Sequence, residues 1–452
     1  MPRVLCAPLG KWVDPAAAYL ALCGDSEAAF WLDSGPGATT GMSYLGVAST
    51  VVTEFDGAVL DWLRDALAAE QLDTSEAPPG FALGWVGWLG YEVRAETMGT
   101  PADRVSRYPD AAWLRIERAL AFDHSTGVVT AMALDDIQAW RDDALAALAA
   151  GPRPTGASAP VERTQPVTTW AHTDEEYLDM IAASQKAIVD GDAYLLCLTT
   201  EVSVDVTPDP VATYLALRES SPTHHGALLR AGAVSLLSAS PEQFLTVSPA
   251  GLVTTSPIKG TRPRGTTEAR DWRLRAELKD SVKERAENVM IVDLMRNDIG
   301  RVSISGSVGV DRLLDVESYA QVHQLVSTVS GELAEGLTSI DAIAACFPAG
   351  SMTGAPKLSA TRILDRLEQR PRGIYAGAFG YIGFDGAVDL AMVIRSIVID
   401  SEGSTIGTGG GITALSIPKE ELAETKLKAA ALLTALGVAS PALEPDASTH
   451  NG

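Results

Sequence analysis

The sequence predicts a protein built from both helices and strands. Apolar and polar residues alternate over 236–247, and β-branched and aromatic residues are frequent over 374–399, so both stretches indicate strands. Residues 135–150 and 280–298 repeat their apolar side chains every three or four positions, which is typical of amphipathic helices. With 452 residues the chain exceeds the size at which one core stops growing, so we expect one large composite domain or two subdomains.

The pattern along the chain divides it into four parts. Residues 1–150 mix short apolar runs with helical segments, including a glycine-interrupted strand at 81–91, and are expected to form an N-terminal subdomain. Residues 151–169 are rich in proline, threonine and serine and predict a surface linker. Residues 170–437 carry most of the motifs described below and are predicted to be the catalytic region. Residues 438–452 are expected to form a disordered tail.

The composition excludes several classes of partner. The net charge of −23 would repel nucleic acids and anionic membrane surfaces. No stretch approaches the ~20 apolar residues that cross a bilayer, and the first residues lack the apolar core of a signal peptide. The four cysteines (Cys6, Cys23, Cys197 and Cys346) form no CxxC pair, which argues against a zinc ribbon or a disulfide framework. We therefore expect a cytoplasmic protein.

Two predicted helices each carry a pair of glutamates on one face. Glu284 and Glu287 are three residues apart near the start of the first helix, where Ser281 could cap the helix in a capping box with Glu284. Their stripe continues through the apolar Ile291, so the carboxylates could stand at the wall of a cleft. The alternative is a solvated helix face, on which Glu284 pairs with a neighbouring cation.

The second glutamate helix begins near Pro418 and places Glu421, Glu424 and Lys428 on one face. Four carboxylates from two helices would suit magnesium, which prefers oxygen ligands. Here too the alternative is a surface face, with Glu424 and Lys428 forming an i,i+4 pair. Spacing alone does not bring the two helices together.

Lys259 follows a β-prone stretch at 252–255 and precedes glycines and prolines, so it is expected at a strand end or in a loop. A lysine in such a place is either a surface charge or a nucleophile. The second role requires burial or nearby cations, which Arg262 and Arg264 could supply. The sequence does not fix their geometry.

The sequence GTGGG at 407–411 also allows two interpretations. Clustered glycines let backbone N–H groups approach an anion, but an isolated glycine cluster more often marks a tight turn. The chain has neither a Walker A pattern nor a G-x-G-x-x-G motif after a strand, so a nucleotide site is not expected.

Six ordered blocks resemble the chorismate-utilising enzymes, which include anthranilate, aminodeoxychorismate, isochorismate and salicylate synthases. The blocks are SPEQF (240–244), PIKGTRPRG (257–265), KERAENVMIVDLMRNDIGRV (283–302), FPAGSMTGAPK (347–357), RGIYAGAFGYIGF (372–384) and GGGI followed by EELAETKLKA (409–412 and 420–429). The N-terminal half matches more weakly. The resemblance implies an α+β fold in which two large antiparallel sheets pack face to face with flanking helices, and an active site in the cleft.

The resemblance also implies roles for particular residues. The expected magnesium ligands are Glu284, Glu287, Glu421 and Glu424. The expected substrate-binding residues are Arg395 and Tyr375, for the enolpyruvyl carboxylate, together with Gly409, Gly410, Gly411, Lys428 and Thr353. The expected catalytic residues are the nucleophile Lys259 and the general acid Glu242. Magnesium and Arg395 would neutralise a dianionic substrate inside an acidic protein.

Lys259 indicates the subfamily, because aminodeoxychorismate synthases carry lysine at this position and anthranilate synthases carry a small residue. The resemblance therefore implies component I of aminodeoxychorismate synthase, an enzyme of the folate and p-aminobenzoate pathway. It converts chorismate and ammonia to 4-amino-4-deoxychorismate, which would be released. No cysteine lies in a G-x-C-x-G motif, so ammonia is expected from a separate glutaminase subunit (component II). The alternatives are anthranilate synthase component I and a non-catalytic family member.

Three positions depart from the family pattern. Leu195 stands at a usually polar position and argues against isochorismate synthase, which has its water-activating lysine there. Gln324 stands where many relatives have histidine, and Leu415 replaces an acidic residue. Gln324 leaves open which group assists proton transfer. The oligomeric state, the ammonia path and the binding of a tryptophan-like effector near the WLDSG sequence (31–35) also stay open.

Overall fold

The computed structural model describes residues 2–70, 72–152, 166–319 and 322–438. Residues 153–165 of the predicted linker lie outside the described residues, as does the predicted tail beyond residue 438.

The strands, in chain order, are β1 (Leu5–Pro8), β2 (Ala28–Asp33), β3 (Met42–Val47), β4 (Thr50–Val52), β5 (Gly84–Leu89), β6 (Ala111–Ile116), β7 (Arg118–Asp123), β8 (Val128–Ala133), β9 (Thr168–Trp170), β10 (Leu195–Val204), β11 (His225–Ala231), β12 (Val234–Ser240), β13 (Gln243–Val247), β14 (Leu252–Thr255), β15 (Ile258–Pro263), β16 (Gly309–Ser318), β17 (Val322–Glu332), β18 (Gly354–Ala355), β19 (Ala378–Gly383), β20 (Val388–Met392), β21 (Ser396–Asp400) and β22 (Gly403–Ile412). The α-helices are α1 (Pro15–Leu22), α2 (Val59–Ala68), α3 (Arg94–Met98), α4 (Ile137–Ala150), α5 (Asp174–Val189), α6 (Pro210–Ser220), α7 (Glu268–Asp280), α8 (Val282–Gly300), α9 (Ser339–Cys346), α10 (Lys357–Glu368) and α11 (Pro418–Ala435). Single 3₁₀ turns lie at Tyr91–Val93 and Gly350–Met352.

The strands form two large antiparallel sheets. The first has the order β1-β8-β7-β3-β2-β11-β12-β21-β22-β10-β18, with β9 also paired to β10. The second has the order β15-β17-β14-β13-β20-β19-β5-β6-β4, with β16 also paired to β17. Because β2 pairs with β11 and β5 pairs with β19, each sheet combines strands from the first 133 residues with strands from the second half of the chain.

The core lies between the two sheets. Phe30 of the first sheet shares one apolar cluster with Trp88 and Phe379 of the second. Neighbouring Trp31 points to the opposite face of β2, where it packs with Tyr19 of α1 in a second cluster that includes residues of α6 and α11. The predicted α+β arrangement of two packed sheets with flanking helices is therefore confirmed.

The helices that carry the glutamate pairs form where the sequence predicts them. α11 begins at Pro418, and Ile291 of α8 is fully buried, as expected from its stripe. Ser281 occupies the N-cap of α8 but makes no side-chain capping bond, so the predicted capping box is wrong. The Glu284 carboxylate contacts Arg262 instead. Among the helices in the described ranges, none is long and apolar enough to cross a membrane.

Candidate active site

A cavity of about 370 Å³ opens between the ends of the two sheets. The first sheet contributes β10 and β22, and the second contributes β15 and β17. α8, α11 and the connecting segments that carry Glu242, Tyr375 and Arg395 contribute the rest of the wall. The sequence-predicted residues that line it are Glu242, Lys259, Glu284, Glu287, Tyr375, Arg395, Gly409, Gly410, Gly411, Glu421, Glu424 and Lys428. Residues up to 186 positions apart in the sequence therefore meet in one place.

Thr353 is the predicted site residue that the structure does not bring to the cavity wall. Its side chain is fully buried, and its hydroxyl donates to the carbonyl oxygens of Ala349 and Gly350 at 3.1 and 3.3 Å. Ser351 of the same sequence block lines the cavity instead. The FPAGSMTGAPK block predicted that this turn reaches the site. Its sequence could not show that the Ser351 hydroxyl lines the cavity while the Thr353 hydroxyl is buried.

Lys259 lies in β15, where the pairing with β17 is irregular between Ile258 and Thr261. At this bulge Gly260 has a φ of 89°, and a Cβ there would collide with Glu284. The glycine thus allows β15 to approach α8 closely. Lys259 is partly buried in the cavity wall, so its local interpretation as a surface charge is wrong.

Glu242 follows β12 and is buried beside Lys259. Burial raises the pKa of its carboxyl group, while the charge of Lys259 and a hydrogen bond from Ser351 act in the opposite direction. The backbone carbonyl of Glu242 accepts a hydrogen bond from the Met392 N–H at 3.0 Å, which fixes the position of the residue. A buried carboxyl group with a raised pKa can serve as a general acid.

Three of the four predicted metal ligands are held by cations in the structure. The ion pairs are Glu284–Arg262 at 2.8 Å, Glu421–Lys283 at 3.2 Å and Glu424–Lys428 at 2.7 Å. The pairing expected for a surface face does occur, but it occurs within the cavity. Burial acts to raise the pKa of Glu424, but Lys428, Lys283 and Lys259 lower it.

Glu287 differs from the other three glutamates. Its Oε1 is buried without a hydrogen-bond partner among the described residues. Burial raises its pKa, Lys259 and Lys283 lower it, and Glu421 and Glu424 raise it further. The electrostatic coupling of Glu287 to residues of α11 shows that the two glutamate helices face the same space.

This donor set fits a hard dication, because four carboxylates surround one cavity and one of them has an unsatisfied oxygen. In the part of the chain that the structure describes, no three carboxylate, imidazole or thiol groups stand at the spacing of a formed metal site. The carboxylates would have to turn from their lysine and arginine partners to hold a metal. The three glutamate–cation contacts would then be exchanged for metal–oxygen contacts.

Residues 407–411 lie inside strand β22, so the tight-turn interpretation of the GTGGG sequence is wrong. β10 pairs with one edge of these residues, whereas no described strand pairs with their other edge. A Cβ at Gly407 would overlap with the ring of Tyr375, and one at Gly409 would overlap with the carbonyl oxygen of Leu198. Glycine is therefore required for close packing, and the free edge faces the cavity.

Tyr375 and Arg395 also line the cavity. Arg395 has a φ of 51°, an unfavourable backbone conformation for a residue with a side chain, and such strain is often found at functional sites. Burial lowers the pKa of Arg395, while Tyr375 and Glu424 act to raise it. Arg395, Tyr375 and Glu424 therefore interact electrostatically across the same cavity.

Gln324 lines the cavity, whereas His323 faces the other side of β17. The His323 ring is held by Asp271 at 3.0 Å and by Ser318 at 2.7 Å. His323 therefore does not line the cavity in place of Gln324. Leu195 is buried in the core and does not line the cavity.

The WLDSG sequence lies at the end of β2, outside the cavity. The buried Asp33 carboxylate accepts hydrogen bonds from Arg218 at 2.6 Å and Tyr214 at 3.3 Å. The Ser34 hydroxyl donates to the carbonyl oxygen of Met42 at 2.7 Å. These polar groups are satisfied within the protein.

Comparisons with known proteins agree with this arrangement. The family model of the chorismate binding enzymes matches residues 27–434. An aminodeoxychorismate synthase of Streptomyces griseus is 43% identical over 98% of this chain, which spans 65% of that relative. Anthranilate synthase component 1 of Streptomyces coelicolor is 37% identical over 94% of this chain and 86% of its own length.

A similar fold is found among solved structures. Anthranilate synthase component I of Streptococcus pneumoniae superposes with a TM-score of 0.72 at 28% identity, covering 95% of this chain and 92% of that one. The family match extends over most of the chain and includes every residue that lines the cavity. The chain is therefore a member of the chorismate binding enzyme family.

Proposed function

We propose that this chain is the catalytic component of an aminodeoxychorismate synthase, which replaces the C4 hydroxyl of chorismate with an amino group. The observation that carries the proposal is Lys259, which stands in the cavity wall within electrostatic reach of Glu242 and Glu287. The 43% identity to an aminodeoxychorismate synthase supports the same assignment. The anthranilate synthase relative, at 37% identity, makes that activity the second candidate.

The wall residues suit a dicarboxylate such as chorismate. Arg395 and Tyr375 would bind the enolpyruvyl carboxylate, since a guanidinium and a phenol both donate to an anion. The free backbone edge of Gly409–Gly411, together with Lys428, would face the ring carboxylate. Lys428 Nζ donates to the carbonyl oxygen of Gly409 at 2.9 Å, so its ammonium group already stands at this edge.

The proposed reaction has two displacements. The Lys259 amine attacks ring C2, the double bonds shift, and the C4 hydroxyl leaves as water with a proton from Glu242. Ammonia then adds at C4, the double bonds shift back, and the C2–lysine bond breaks. The sum is chorismate plus ammonia giving 4-amino-4-deoxychorismate plus water. A covalent intermediate divides one difficult displacement into two easier ones.

The chain's own residues favour amination at C4 over the anthranilate reaction. Anthranilate forms only if the ring proton at C2 is removed as pyruvate leaves, which requires a base. Gln324 lines the cavity at the position where the family resemblance leads us to expect a histidine in many relatives, and an amide does not accept a proton near neutral pH. Ammonia would be supplied by a glutaminase active site outside these residues, because none of the four cysteines in the sequence lies in a G-x-C-x-G motif.

The identity of the product tests the proposal. With chorismate, ammonium and Mg²⁺, the purified chain is expected to yield 4-amino-4-deoxychorismate, identified by mass, because Lys259 is present and Gln324 is not a base. Fluorescent anthranilate together with pyruvate would show instead that the second candidate is correct. The absence of turnover under excess ammonium would favour a non-catalytic member of the family.

Glu284, Glu287, Glu421 and Glu424 would hold Mg²⁺, which would neutralise the ring carboxylate of the substrate. Chelation of Mg²⁺ is therefore expected to abolish turnover. Glu287→Gln should weaken Mg²⁺ binding, measured by calorimetry, by roughly 100-fold or more, because even outer-shell partners of a metal contribute 10–100-fold. Glu420→Gln is the matched control, since Glu420 is exposed in the first turn of α11 and does not line the cavity. Equal affinities in the two variants would contradict the magnesium assignment.

A further inference from the structure

The loop between α10 and β19 carries Tyr375 into the cavity, and its backbone is strained. Gly373 has a φ of 63°, and Ala376 has a φ of 64° despite its side chain. A non-glycine residue in this conformation is energetically unfavourable and persists only where neighbouring structure fixes it. The loop that supports one wall of the substrate cavity therefore depends on contacts from outside it.

Those contacts come from the N-terminal part of the chain. Glu92 lies in the 3₁₀ turn after β5, and its Oε1 and Oε2 accept hydrogen bonds from the backbone N–H groups of Arg372 and Gly373, both at 2.9 Å. The Tyr91 N–H donates to the carbonyl oxygen of Gly373 at 2.8 Å. One carboxylate thus holds two consecutive peptide groups just before Tyr375.

Glu92 is held in this position although the surroundings disfavour its charge. It is only 6% exposed, and its pKa is raised to about 7, chiefly because of burial. Asp110 contributes to this rise, while the two backbone N–H groups and Arg94 act to lower the pKa. The Arg372 guanidinium does not neutralise Glu92, because Glu368 binds it through two hydrogen bonds of 2.7 and 2.8 Å.

The loop transmits its position directly to the cavity wall. The ring of Tyr375 packs against Gly407 of β22, so it cannot move without opening a gap at that strand. The Arg372 guanidinium donates to the carbonyl oxygens of Met352 and Cys197 at 2.6 and 2.9 Å, and both of these residues line the cavity.

We propose that Glu92 is a positioning residue for substrate binding, which fixes the loop of Arg372–Gly373 and thereby the tyrosine at the cavity wall. The inference rests on chorismate binding in this cavity, as proposed above, but not on the ring position that is aminated. Glu92 does not line the cavity. Its effect on binding passes through the loop.

The chain contains a matched control for this role. Glu96, four residues further along, also accepts two consecutive backbone N–H groups, from Val59 at 2.8 Å and Leu60 at 3.2 Å. Those bonds hold the start of α2, and none of the three residues lines the cavity. Glu92→Gln and Glu96→Gln therefore weaken the same type of hydrogen-bonded pair at two places, the first buried and the second exposed, and only the first supports the cavity.

The test measures the dissociation constant for chorismate by calorimetry and the unfolding temperature of the full chain. Glu92→Gln is expected to weaken chorismate binding by about tenfold, which corresponds to ~1.4 kcal/mol and is within the range for a hydrogen bond to a charged group. Glu96→Gln is expected to keep the affinity of the wild type, although both variants lose thermal stability. Equal affinity in Glu92→Gln and the wild type, or equal weakening in both variants, would overturn the inference.

A second measurement does not require the variant to fold. When chorismate binds, hydrogen exchange of the wild-type chain is expected to slow in the peptides that contain residues 91–94 and 372–377. The reason is that Glu92 couples the 3₁₀ turn to the loop, so both are fixed together. Unchanged exchange in both peptides would also overturn the inference. If the wild-type chain does not bind chorismate, the proposed function is refuted together with the inference. If the wild type binds chorismate but these effects of Glu92 are absent, only the inference is refuted.

Discussion

Lys259→Ala is expected to abolish the formation of 4-amino-4-deoxychorismate while the protein stays folded. The substitution removes the proposed nucleophile, and the single direct displacement that remains has a much higher barrier. Loss of the nucleophile in covalent enzymes lowers turnover on a scale of up to about 10⁶-fold, so a fall on the order of 10³-fold or more is expected. The measurement is product formation from chorismate with glutaminase-derived ammonia, followed by mass spectrometry.

Lys426→Ala provides the control for Lys259→Ala. Lys426 also carries a positive charge, but it pairs with the exposed Asp174 at 2.6 Å and does not line the cavity. Its removal is expected to leave turnover unchanged. Wild-type activity in Lys259→Ala would contradict a covalent role for the lysine and would favour direct attack of ammonia on chorismate.

Glu242→Gln is expected to lower turnover by roughly 10²- to 10⁴-fold, the usual contribution of a general acid. Glutamine can donate a hydrogen bond to the departing hydroxyl, but it cannot transfer a proton. Burial raises the pKa of Glu242, so the carboxyl keeps its proton to higher pH than an exposed glutamate does. Wild-type turnover should therefore decrease as the pH rises through this pKa, and the variant should lack that decrease.

Ser351→Ala tests the same assignment from the other direction. The hydrogen bond from Ser351 lowers the pKa of Glu242, so its removal should shift the alkaline decrease in turnover to higher pH. A pH profile that is unchanged in Ser351→Ala and retained in Glu242→Gln would exclude Glu242 as the general acid. Another group in the cavity would then have to supply the proton.

The fold was predictable from sequence blocks rather than from local periodicity. Strand-like patterns identified single strands, but nothing in them indicated that β2 pairs with β11, about 200 residues later. Contacts at such separations depend on the whole chain, and the resemblance to a family carries that information. The capping-box rule failed at Ser281, the N-cap of α8, because the Glu284 side chain that would complete the capping box binds Arg262 instead.

The site was predictable to the extent that its blocks were recognisable. Local sequence favoured a surface position for Lys259 and a tight turn for the GTGGG sequence. Both interpretations were wrong, because the residues that enclose these segments are distant in the sequence. Glycine is needed at position 407 because the ring of Tyr375 packs against it, and at position 260 because the side chain of Glu284 lies next to it. The choice between Ser351 and Thr353 depended on the direction of each side chain in one turn, which the sequence does not record.

The ion pairs inside the cavity have a consequence for the order of binding. The wall carries five acidic residues, Glu242, Glu284, Glu287, Glu421 and Glu424, and five basic residues, Lys259, Arg262, Lys283, Arg395 and Lys428. A dianion entering alone would upset this balance by two negative charges, and a dication entering alone would upset it by two positive charges. Entering together, they leave it unchanged. Substrate and magnesium are thus thermodynamically linked, and each should raise the affinity of the cavity for the other by the same factor.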